Sequence, residues 1–187
     1  MGTMIQSGTD VVSFLKEQHE QVKSMFETVL SAQGEQRAKA FYALRRMLAV
    51  HETAEEEIVH PAARRALPDG EQIVNARLQE ENEAKRVLAE LEKLDCGSIE
   101  FETKFRAFHL SVLAHAESEE TQEFARLASV LDQSQLSKMK KAAEVAEAIA
   151  PTRPHAGVES AIGNMIAGPF VSMVDRARDA IAGKKGS

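Results

Sequence analysis

Residues 51–64 read HETAEEEIVHPAAR, and one pair within them, His51 and Glu55, decides how the chain folds. Four residues apart on a helix, two side chains leave the same face about 40° apart round the axis and about 6 Å apart along it. That separation lets both grip one metal ion. The same pair returns at His115 and Glu119, inside HAESEE at 115–120. A single H-x-x-x-E arises easily by chance in a chain with 29 Asp and Glu. Two copies, each at the same place in a helical apolar pattern, do not.

The pattern extends outward from this stretch as Phe41, Leu44 and Leu48 on one side and Ile58 and Ala62 on the other. It predicts one helix from about Glu35 to Ala66, closed by LPDG, with Pro61 kinking or breaking its last turn. A first helix is capped by Thr9 or Asp10 and runs to about Ala32. Its stripe of Val12, Leu15, Val22, Phe26 and Val29 has His19 in a core slot. A third, about Asp69 to Leu94, carries Val74, Leu78, Ala84, Leu88 and Leu91, and here the polar core slot holds Glu81. The fourth starts after Ser98 and runs to about Leu131, with Phe101, Phe105, Phe108 and Val112 leading into His115 and Glu119.

Four helices with short connections predict an all-α chain, an up-down-up-down four-helix bundle with additional C-terminal helices. The first of these covers 133–150, with Leu136, Met139, Ala143 and Ala146 on one side. The second, from Val158 to Ile181, follows the linker APTRP and is interrupted by Gly168 and Pro169. The chain thus divides into a bundle, 10–131, and a C-terminal helical extension, 132–187.

Composition narrows the functional classes. At 187 residues, one core and a tail suffice, and the absence of any strictly alternating run predicts no sheet. A net charge of −6 opposes a nucleic-acid binder. No apolar run approaches the roughly 18 residues of a membrane span, and MGTMIQSGTD lacks a signal pattern. Cys96 is the one cysteine, so no disulfide forms within the chain. A soluble, cytoplasmic protein is expected.

The stripes bring His19, His51, Glu55, Glu81, His115 and Glu119 into one interior. An unpaired carboxylate in a dry core loses several kcal/mol of solvation, and three together also repel. Cations offset that cost, and imidazole with carboxylate suits iron, manganese or zinc. The competing account, exposed surface pairs, conflicts with the apolar stripes. For Glu81 a salt bridge with Arg77 or Lys85 competes with ligation, and the sequence leaves both open. Glu52 and Glu56 read as solvated flanks, with an inward reach open to Glu52, the Phe101–Phe105–Phe108 row as core, and His60, His109 and His155, off the stripes, as ordinary histidines.

These segments together resemble the hemerythrin-like, or HHE cation-binding, domain. DVVSFLKEQHEQV at 10–22 matches the first motif through His19, HETAEEEIVHP at 51–61 the second, and LAHAESEE at 113–120 the fourth. On helix three the family usually carries a histidine, where this chain has Glu81. The resemblance implies two irons per chain, oxo- and carboxylate-bridged. Glu55 and Glu119 would bridge, and His19, His51, His115 and Glu81 would be terminal ligands. It implies reaction with dioxygen, peroxide or nitric oxide and a role in oxidative stress; composition argues for no nucleic-acid and no membrane partner, and a homo-oligomer stays open. An anionic donor at 81 favours the ferric state, which tilts the expectation from oxygen carriage towards peroxide or nitric oxide turnover. Two alternatives stand beside it: a metal-dependent sensor or regulatory protein, and a structural metal-binding bundle without catalysis. Whether the chain is an enzyme stays open.

Overall fold

The structure, a computed structural model, describes residues 8–150. Helix α1 spans Val11–Ser31 and starts where the Asp10 carboxylate accepts the Ser13 N–H at 2.9 Å. Helix α2 covers Gly34–Ala54, widens into a π-turn at Glu55–Val59 and continues as α3, His60–Ala66. Helix α4 is Gly70–Leu91. Helix α5, Ile99–Glu119, opens on the Ser98 cap, passes through a second π-turn at Glu120–Phe124 and continues as α6, Ala125–Val130. Helix α7, Gln133–Ala148, begins with a capping box of Asp132 and Gln135.

These elements form the expected all-helical bundle, with α1 against α2, α5 and α7, and α4 against α3 and α5. Pro61 does not break its helix. It lies in the first turn of α3, where its missing N–H costs least. The winding loosens just before it, and the His60 N–H reaches back to the Glu55 carbonyl, five residues away. The stripe of α1 is shifted slightly from expectation, since Val11 is buried and Val12 only half-buried. Among the described residues no helix is long and apolar enough to cross a membrane. The expected tail helix at 158–181 lies outside them.

The core is split. One apolar cluster gathers Leu15, Ile58, Val74, Phe124 and Leu127 with Leu136 and Met139 of α7. The other gathers Val22, Phe26, Leu44, Leu48, Leu88 and the three phenylalanines Phe101, Phe105 and Phe108. Each long helix passes from one cluster to the other at mid-length. Its polar core residues fall in that gap: His19 between Leu15 and Val22, His51 and Glu55 between Leu48 and Ile58, Glu81 between Val74 and Leu88. A polar layer is thereby held between two dry halves.

Candidate metal centre

Three histidines in this layer use their rings alike. His19 donates from Nδ1 to Glu120 at 2.9 Å, His51 from Nδ1 to the Gln18 side-chain oxygen at 2.7 Å, and His115 from Nδ1 to Glu80 at 2.8 Å. A proton fixed on Nδ1 leaves the Nε2 lone pair facing inward, as in a metal-bound imidazole. The inward nitrogens meet two carboxylates. His51 Nε2 lies 3.3 Å from Glu55, His115 Nε2 3.2 Å from Glu119, and His19 Nε2 3.3 Å from Glu119 and 3.8 Å from Glu55. His19 is further held by stacking on Phe124 and by an edge contact with His51.

These separations lie at or beyond the limit of good hydrogen bonds. They fit the edges of a coordination polyhedron instead, because donors about 2.1 Å from a metal stand about 3.0–3.4 Å from one another. Both oxygens of Glu55 and of Glu119, one of Glu81 and Nε2 of His19 are buried without a hydrogen-bond partner. The donor atoms fall into two groups, His19–His51–Glu55–Glu119 and Glu55–Glu81–His115–Glu119, with atoms within 4.8 Å of one another. The same two carboxylates belong to both groups. The donor set fits a pair of metal ions.

Protons fill the cations' role when metal is lacking. Burial and the adjacent Glu119 push the Glu55 carboxyl up to about 8. Burial opposes a charge on His19, yet Glu119 and Glu55 carry it up to about 10. Burial and the facing His19 drive His51 down to about 3, so it stays neutral. Glu119 resists its own burial because His115 and His19 hold it well below the usual carboxylate range. Metal entering such a site displaces protons. A cavity of about 200 Å³ leads to it, walled by Leu48, Ala84, Val87, Phe108 and Val112 and reaching His19, His51 and His115.

All six residues expected from the sequence lie in the layer, and the structure adds two. His60, read as ordinary, is 2% exposed and sits between Glu81, 2.7 Å from its Nε2, and Glu123, 2.9 Å from its Nδ1. Five residues of α-helix turn about 500°, which points His60 about 140° away from Glu55. The π-turn puts an extra residue in that turn and brings the ring onto the inner face. Glu123, fully buried, carried a usable signal, since it continues the four-residue spacing of His115 and Glu119. Glu52 and Glu56 are not solvated flanks. They turn to the buried Lys85, which contacts Glu56, stands 3.5 Å from Glu52 and reaches Glu81 at 3.8 Å. Arg77 pairs with Glu80, not Glu81. His109 stacks on Phe26 and belongs to none of the donor groups.

A helical bundle enclosing a buried imidazole–carboxylate cage defines a metal-binding protein of the cation-binding bundle class. The profile of the Hemerythrin HHE cation binding domain matches residues 10–127, and the chain belongs to that family. It is similar in fold to the crystal structure of a Hemerythrin HHE cation binding domain-containing protein from Mycobacterium kansasii. The TM-score is 0.67 at 20% identity, covering 74% of this chain and 85% of that one. No curated protein matches the sequence.

Proposed function

We propose that the chain is a non-haem di-iron protein that reacts with dioxygen, peroxide or nitric oxide. The observation that carries this is the pair of donor groups sharing Glu55 and Glu119. Glu55 and Glu119 would hold both irons, with His19 and His51 donating to one and Glu81 and His115 to the other. Iron held there supplies redox chemistry towards small oxidants. The chain's own residues fix the imidazoles through Gln18, Glu80 and Glu120, exclude bulk water with the two apolar halves, and admit a small neutral molecule past Val87 and Val112. Glu81, as an anionic donor, would favour the ferric state and so peroxide or nitric oxide turnover over reversible oxygen carriage. The same reading takes residues 10–131 as the metal-holding unit of a cytoplasmic protein acting in oxidative stress.

Iron content and absorption of protein purified without added metal test it. Two irons per chain with an oxo-to-iron band near the ultraviolet edge are expected. A zinc-loaded or metal-free protein that takes up no iron would overturn the reading.

A further inference from the structure

His60 and Glu123 lie outside the six donors just assigned, and they form a cluster of their own with Glu119. One ligand atom from each of the three falls within 4.8 Å of the others, and all three side chains are buried. None of them lines the apolar cavity. We propose that His60, Glu119 and Glu123 make a third cation position, for a divalent first-row metal, adjoining the dinuclear centre on the π-turn side; the proposal rests on the di-iron reading.

Ring use is the first support. Both ring nitrogens of His60 meet carboxylates, one belonging to the cage and the other to the new position. Its Nε2 is held by Glu81 at 2.7 Å, and Nδ1 faces Glu123 at 2.9 Å. Imidazole ligands are oriented in this way by a carboxylate on the second nitrogen. The second support is an unmet acceptor: Glu123 has no exposure, and its other oxygen lacks any hydrogen-bond partner.

Charge is the third. Glu123 buries a further carboxylate beyond the six assigned donors, and Glu81 competes with it for His60. Lys85 reaches Glu81 only at 3.8 Å and is shared with Glu52 and Glu56. A cation beside Glu123 balances a charge that His60, shared with Glu81, balances only in part. Imidazole with two carboxylates is a donor set for iron, manganese or zinc.

The test loads the full chain with ferrous iron under argon, removes the excess and counts iron per chain in the parent, in Glu123→Gln and in His60→Gln. Anomalous scattering at the iron edge is recorded on crystals of the loaded parent, which needs no variant to fold. Three irons in the parent, two in each variant, and a third anomalous peak beside Glu123 are expected. Two irons in all three proteins overturn the position and leave His60 as an imidazolium between two acids. Two in the parent falling to one or none in the variants also overturn it, because His60 and Glu123 then serve the dinuclear pair. A parent that binds no iron refutes the di-iron reading itself, an outcome distinct from either.

Discussion

Gln18 sets the proton on His51. Its amide nitrogen donates to Glu147 at 2.7 Å, so its oxygen is left to accept from His51 Nδ1, also at 2.7 Å. The inward nitrogen of His51 is therefore a lone pair. Replacing Gln18 by Leu removes the acceptor while keeping an apolar side chain in its place. Metal affinity is expected to fall about 10–100-fold, the usual effect of losing such an outer partner. Competition against a coloured chelator measures it, and an unchanged affinity would show that Gln18 only fills space. The inward donors were legible in the sequence because each took a slot in an apolar stripe. Gln18 was not, since its role depends on Glu147, 129 residues away on a helix whose packing no periodicity specifies.

At the scale of elements, caps and stripes were legible and the π-turns were not. Asp10 and Ser98 stand where an acceptor must meet free N–H groups, and both cap as expected. A π-turn leaves no such mark, because apolar spacing assumes a constant helical twist. Pro61 hinted at irregularity in one helix, but the turn at Glu120–Phe124 has no proline. Both π-turns begin at or just after the inward glutamate of an H-x-x-x-E pair, so the loosened winding accompanies the cage. Asp10 offers a cleaner test of an element. Partial burial would raise its carboxyl, but the bonds from Ser13 and Gln133 hold it below 3.8. A folded value below the unfolded one means stability present at neutral pH and lost as pH falls through the folded value. Asp10→Ala should cost about 1 kcal/mol at pH 7. Urea midpoints of parent and variant, both in chelator, should converge as pH drops below the ordinary aspartate range. A gap that stays constant into that range would assign the loss to packing instead.

In the whole molecule, two apolar halves clamp a layer that carries more buried carboxylate than its histidines and Lys85 neutralise cleanly. Hydrophobic burial holds the layer shut, and α7 is part of the clamp. Leu136 and Met139 pack into the core, and Glu147 reaches Gln18, although the sequence had set this stretch apart as an extension. The apolar halves hold the donors together, and several donor atoms lack a partner unless a cation joins them. Removing the metal should therefore lower stability without dispersing the fold. A ligand that binds only the folded state stabilises by about 4 kcal/mol at a thousand times its dissociation constant. For a chain of this size about 1 kcal/mol moves the melting midpoint by 2–4 °C, so chelation should lower it by about 8–16 °C. Far-ultraviolet circular dichroism at 25 °C should keep its helical signal, because the apolar clusters do not depend on the metal. Readdition of ferrous iron should restore the midpoint. A midpoint unmoved by chelator would mean that protons alone satisfy the layer, and loss of helical signal at 25 °C would mean that the metal, not the apolar halves, holds the bundle together.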